Sequence, residues 1–147
     1  MMLECKKNNL MKSYQVKQVI VMRKDLNMRK GKMVAQGSHA SVDALLSMFS
    51  CTQSGDEVTY ELKYKPDAMI AQWMDGSFAK ICLYVNSEQE LLDIYNRVRT
   101  EKPEIPVSLI TDAGFTEFHG VATNTCIAIG PYWDNEIDEF TGSLNLL

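Results

Sequence analysis

Read for its alternation of apolar and polar positions, the chain divides into short apolar runs separated by longer amphipathic stretches. Residues 16–22 (VKQVIVM) are β-branched and nearly continuously apolar at their end, which predicts a strand buried on both faces. A helix is expected to follow from about residue 29 to 49. Within it Lys32, Gln36, His39 and Asp43 fall at i, i+4, i+7 and i+11, one above another on a single polar face. Met33, Val34, Ala40, Val42, Leu45 and Leu46 supply an apolar side to bury against a sheet. Gly37 weakens that helix, a cost that close packing would repay.

Residues 51–57 (CTQSGDE) read as a polar loop, and Val58, Tyr60, Leu62 and Tyr64 alternate at period two as a short, half-exposed strand. Residues 66–74 suit a short helix that opens on Pro66, is anchored by Trp73 and stops before Gly76. A second core strand is expected at 78–85 (FAKICLYV). After it, Ser87 and Glu90 form a capping box that opens a helix with Leu91, Leu92, Ile94, Tyr95 and Val98 on one face. Residues 107–110 (VSLI) predict a third buried strand and 125–129 (TCIAI) a fourth, ended by Gly130 and Pro131; a last helical turn or two follows at 134–140.

Strand, helix, strand, helix, strand requires two crossovers, hence a parallel core with helices on its faces. The segment from Asp112 to the fourth strand carries no obvious helix, so that strand is free to join antiparallel. The expectation is an α/β domain of three layers: a mixed, mostly parallel, four-stranded sheet flanked by helices on both faces. In such folds ligands gather at the carboxyl ends of the strands. That edge collects the turn before Lys32 and the turn at Asp112, and so places Lys32, Gln36 and His39 beside Asp112 and Thr116.

Composition sharpens this picture in three ways. The 147 residues suit one domain, 14–147, behind a flexible basic leader at 1–13. No apolar run approaches the roughly 18 residues of a membrane span, and the leader has no apolar core of a secretory signal, so a cytoplasmic protein is expected. The four cysteines lack metal-ligand spacing, so neither a disulfide framework nor a zinc site is indicated. The net charge of −4 is unevenly spread: residues 1–40 hold nine cations against two anions, the remainder six against seventeen. Cations gathered around one turn, Arg29, Lys30 and Lys32 among them, point to a local polyanion site rather than a general nucleic-acid coat.

Familiar catalytic patterns fail. Gly31 and Lys32 lack the upstream glycine of a phosphate loop, and Met33 stands where Ser or Thr should hold magnesium. Ser38 and His39 are helix neighbours about 100° apart, which cannot act as nucleophile and base. Direct attack by water remains. His39 imidazole can accept a proton near neutral pH with a carboxylate such as Asp112 to orient it. Lys32 and Gln36 can donate to an oxyanion, and Thr116 can position water or a ribose hydroxyl. Taken singly, each of these residues is as readily an ordinary surface or turn residue.

Together they carry a resemblance. Asp25, Leu26, Met28, Gly31, Lys32, Ala35, Gln36, His39 and Ala40 make the first motif, and Leu109, Ile110, Asp112, Ala113, Gly114 and Thr116 the second. Ile129, Gly130 and Pro131, then Ile137, Asp138, Thr141, Gly142 and Leu144, complete it. In order and spacing the chain from about residue 14 onward resembles the peptidyl-tRNA hydrolases of the second type. The resemblance implies an esterase that cuts the bond between a peptide and the terminal ribose of tRNA. It implies a mixed four-stranded sheet, no metal or other cofactor, and homodimers. The functional positions it implies are Lys32, Gln36, His39, Asp112 and Thr116, with Arg29, Lys30 and Thr125 meeting tRNA. Asn27, Arg29, Gly37, Phe115 and Glu117 depart from the family's pattern; a cation is frequent where Phe115 stands and Gln where Glu117 stands. A non-catalytic RNA-binding relative, a hydrolase of another acyl ester, and an interaction protein using the Tyr60, Leu62 and Tyr64 edge are the competing readings.

Overall fold

The computed structural model describes residues 15–147, so the expected leader lies outside the described residues. The chain runs β1 (Val16–Arg23), α1 (Lys30–Leu46), β2 (Ser50–Ser54), β3 (Glu57–Glu61), α2 (Met69–Met74), β4 (Lys80–Val85), α3 (Glu88–Glu101), β5 (Val107–Asp112), β6 (Thr123–Trp133) and α4 (Asp134–Thr141). The main sheet has the order β4-β1-β6-β5. β1 and β4 pair parallel, while β6 is antiparallel to both β1 and β5.

The two crossovers therefore do what their helices require: β1, β4 and β5 all run the same way. The expectation of a mostly parallel sheet needs correction at the level of pairing, because β6 inserts between β1 and β5 instead of adding at an edge. Only one of the three ladders is parallel. β6 can return antiparallel because residues 113–122 form turns, not a crossover helix. It also continues past its expected end. Gly130 sits within the strand at φ +93°, opposite a register shift between Lys17 and Val19. A Cβ there would lie 2.7 Å from the Lys17 carbonyl oxygen, so the bulge admits only glycine.

The sheet is covered on both faces. Val19, Val21, Leu83, Val85, Ile127 and Ile129 pack under α3 and α4, against Leu91, Ile94, Val98, Ile137 and Phe140. Ile20, Met22, Cys126 and Ala128 pack under Ala40 and Ala44 of α1. The capping box at the start of α3 forms: Ser87 Oγ accepts from the Glu90 N–H at 3.1 Å, and Glu90 Oε2 reaches back to the Asn86 N–H at 2.8 Å.

α1 does not bury the apolar side expected of it. Its buried residues are Gln36, Gly37, Ala40, Ser41 and Ala44, whereas Val34 is 69% exposed and Val42 55%. Small side chains let the helix lie close to the sheet, and the larger aliphatic ones are turned aside. Under it Gln18, fully buried, takes the Ser41 hydroxyl at 2.5 Å and donates to the Ser41 and Gly130 carbonyls. The segment expected as a polar loop at 51–57 is instead most of a hairpin: β2 pairs with β3 through a two-residue connection. Gly55, at φ +59°, takes the positive-φ place in it. Both strands are exposed and form a separate two-stranded sheet. Among the described residues no helix is long and apolar enough to cross a membrane.

Candidate active site

The site forms where the first turns of α1 meet the end of β5. A lysine at helix position 32 and a glutamine one turn on point the same way, and β5 delivers a carboxylate to them. Lys32 Nζ lies 2.7 Å from Asp112 Oδ1 and donates to Thr116 Oγ1 at 3.0 Å. Gln36 Nε2 donates to the same Asp112 oxygen at 3.2 Å. The other carboxylate oxygen, Oδ2, accepts from the Gly114 N–H at 2.9 Å, a turn closed by the aspartate on its own backbone. Behind this layer Thr125 Oγ1 donates to Gln36 Oε1 at 2.6 Å, which fixes the amide's orientation: donors toward the carboxylate, oxygen toward the hydroxyl.

The electrostatics follow from these contacts. The ammonium of Lys32 is the main cause holding the Asp112 carboxyl below the usual carboxylate range; the Gly114 N–H and Gln36 act in the same direction, and partial burial opposes them. With three donors on its two oxygens, Asp112 is a poor acceptor of a further proton and a firm anchor for a cation. The Lys32 side chain is largely buried, 14% exposed, as is that of Asp112 at 15%. The turn that carries Asp112 depends on Gly114, at φ +85°, where a Cβ would fall 2.2 Å from the Val121 carbonyl oxygen.

Of the residues expected to act together, Lys32, Gln36, Asp112 and Thr116 form one connected network. His39 stands outside it. The imidazole is exposed and lines the same 430 Å³ cavity as Gln36, Asp43, Thr111 and Asp112, and among the described residues it has no hydrogen-bond partner. Asp43, the lowest member of the stripe, accepts from the Ser108 hydroxyl. Arg29 extends into solvent, 89% exposed, with Nε 3.9 Å from Glu117 Oε1. Lys30 is exposed on the opposite flank of α1, beside Met33 and Val34. Thr125 is fully buried, so it has no surface to offer a tRNA; its hydroxyl is spent on Gln36.

Two features were not foreseen. Glu117 Oε2 accepts from the Arg29 backbone N–H at 3.2 Å, so a carboxylate already occupies the N-terminus of α1. The other is the part played by Gly114, a residue of the second motif whose backbone N–H proves to be a donor to Asp112; an Asp two residues before a glycine is the signal that could have marked it. Among the described residues no three His, Cys, Asp or Glu side chains come together as metal ligands would.

A lysine–aspartate pair, closed by side-chain and backbone donors at the carboxyl ends of strands in a mixed sheet, belongs to an α/β domain of enzymatic type. Comparison with known proteins makes this specific. The family model described as peptidyl-tRNA hydrolase PTH2 matches residues 16–147, and the chain belongs to that family. It is 42% identical over 132 residues to the peptidyl-tRNA hydrolase of Methanocaldococcus jannaschii, covering 90% of this chain and all of that protein. The enzyme of the same name from Haloquadratum walsbyi is 40% identical over 131 residues, covering 89% of this chain and 99% of that one. That from Methanococcus vannielii is 39% identical over 130 residues, covering 88% and 97%.

Proposed function

We propose that this protein hydrolyses peptidyl-tRNA, cleaving the ester between a peptide and the terminal ribose by direct attack of water. The observation that carries the reading is the Lys32–Asp112 pair, set with Gln36 and Thr116 at the strand ends of a chain that matches the family along its described length. Lys32 is the principal oxyanion donor. Its ammonium, held in place by Asp112, stabilises the oxyanion of the tetrahedral intermediate, with the Gln36 amide beside it. Asp112 is too well neutralised to serve as base, so the proton of the attacking water goes to the His39 imidazole at the rim of the same cavity. The Thr116 hydroxyl accepts from Lys32 and donates a hydrogen bond to the ribose oxygen, which takes the proton held by the His39 imidazolium as the ester C–O bond breaks.

Arg29 and Lys30 are the proposed contacts for tRNA phosphates, which makes binding steeply dependent on salt. No metal is assigned a role: the carboxylate that would hold one already has an ammonium as its counter-cation. We further place the reaction in the cytoplasm, with a second copy of the chain as partner. The exposed aliphatic residues Val34, Val42 and Leu46 of α1 support that pairing.

The direct test is release of N-acetyl-aminoacyl groups from tRNA by the purified protein in EDTA, with unblocked aminoacyl-tRNA as control. Cleavage of the blocked ester alone is expected. Lys32→Ala and Asp112→Asn should each lower turnover by about a hundredfold or more, the scale of an oxyanion or acid–base group. Near-normal rates in a folded variant would remove that residue from the mechanism.

A further inference from the structure

β5 ends in the carboxylate of the site and is the terminal strand on its side of the sheet. The phase of its ladder is fixed at one end, where the Gly130 N–H donates to the Pro106 carbonyl at 2.7 Å across the Val107–Ile129 pair. Antiparallel alternation then turns the N–H and C=O groups of Ser108 and Ile110 toward β6 and those of Val107 and Leu109 to the open side; the register shift that follows places its extra residue, Thr125, on β6, so β5 keeps its own alternation and Thr111 also faces outward. Among the described residues no strand pairs with that side. The 430 Å³ cavity follows the same edge, lined by Leu109, Thr111 and Asp112 from the strand and by Gln36 and His39 from α1.

We propose that the peptide part of the substrate is held as a fifth strand on this free edge, by main-chain hydrogen bonds to Leu109 and Thr111. The proposal rests on the reading of the chain as a peptidyl-tRNA hydrolase and adds how the peptide is recognised. The direction is dictated by chemistry. The ester carbon belongs to the peptide's last residue and must lie at Lys32, so the peptide runs parallel to β5 with its amino end toward Val107. Strand addition also suits the task, because an enzyme that must accept peptides of any sequence can read only what they share, their backbone. An unblocked aminoacyl ester offers a hydrated ammonium where the first amide would lie and has no carbonyl beyond it, so it cannot form the paired main-chain bonds of a strand.

The reach is limited. At about 3.3 Å per strand residue, the edge from Asp112 back to Leu109 serves roughly the last three or four residues of a peptide. The wild-type protein should therefore be assayed on peptidyl-tRNAs carrying N-acetylated peptides of one to six residues, and on a series with a single N-methyl group moved along the chain. KM should fall with length through about the fourth residue and then level, each bond gained contributing a factor of about five. N-methylation should raise KM at every second amide only, since alternate groups of a strand face the neighbour. Leu109→Pro removes the outward N–H while leaving the ladder intact, a substitution that edge strands tolerate. It should flatten the length dependence that Leu109→Ala keeps. Cleavage with no dependence on length and no alternation in the N-methyl series would overturn the added strand. Failure to cleave any of these substrates would overturn the activity on which it rests.

Discussion

Replacing Thr125 by valine isolates the residue behind the site. The substitution keeps the shape and removes one hydroxyl, the donor that meets Gln36 Oε1 at 2.6 Å. Thr125 is fully buried and Gln36 only 4% exposed, so water cannot take the donor's place. The amide oxygen is left unsatisfied at a cost of about 1–3 kcal/mol. At roughly 3 °C per kcal/mol for a domain of this size, Tm should fall by about 3–9 °C. Gln36 also loses the contact that aims its Nε2 at Asp112, so kcat should fall roughly tenfold with KM little changed, the mark of a group acting in the transition state. The decisive version is a double-mutant cycle with Gln36→Leu, read by thermal melting. Because removing both partners abolishes the orphaned oxygen, the double variant should recover about 1 kcal/mol or more relative to the sum of the singles. Stability losses that add to within about 0.5 kcal/mol would refute the idea that the two side chains act as one unit.

Other expectations are as specific. Gly37→Ala should stabilise the protein by about 0.5–1 kcal/mol, since the helix gains and the new Cβ meets Ile20 and Met22 at an ordinary 3.7 Å; a lowered Tm would mean α1 needs the glycine. Glu117→Gln removes the carboxylate at the N-terminus of α1. It should tighten tRNA binding and steepen the slope of log affinity against log salt by about one, at a stability cost of about 0.3–1 kcal/mol; an unchanged slope would place the phosphates elsewhere. The pH dependence of the Lys32–Asp112 pair has a definite sign. Asp112 titrates lower in the folded chain than in the unfolded one, so its contribution is complete above the unfolded value and is lost as pH falls through the folded one. The stability gap between wild type and Asp112→Asn should be flat from pH 5 to 7 and close below about pH 4. A gap that closed above pH 5 would contradict the depressed carboxyl.

Much of the site was legible because it depends on local periodicity and one topological rule. Helix spacing alone puts Lys32 and Gln36 on one face, and the crossovers put Asp112 at the same edge of the sheet. The order of the strands was not legible, since apolar runs in β1, β5 and β6 look alike whether their neighbour is parallel or antiparallel. Hydropathy misled at α1 for a physical reason: Gly37, Ala40 and Ser41 bury because they are small, and Val34 and Val42 lose the competition for the sheet. The role of Thr125 was hidden for a related reason. A polar residue inside an apolar strand reads equally as a surface contact or as a buried donor, and only the position of Gln36 decides. Of the β2–β3 hairpin only the second strand was legible, from the alternation at Val58 and Tyr60; β2 escaped because SCTQS lacks the alternation of a half-buried strand, its register resting on backbone pairing and the turn at Gly55.

The placement of β6 bears on how the molecule comes into being. β6, one of the two inner strands, follows the other three in the sequence, and Val21 must wait for Ile127 before its second ladder exists. Until then the strand carrying Asp112 has no partner through which to join the helix carrying Lys32. Contacts this distant along the chain slow folding, and a ribosome-bound fragment that stops before residue 123 holds Lys32, Gln36, Asp112 and Thr116 without Thr125 and without the strand that joins β5 to β1. A chain cut before Thr123 lacks the strand that seats β5, and is expected to be inactive although it keeps Lys32 and Asp112.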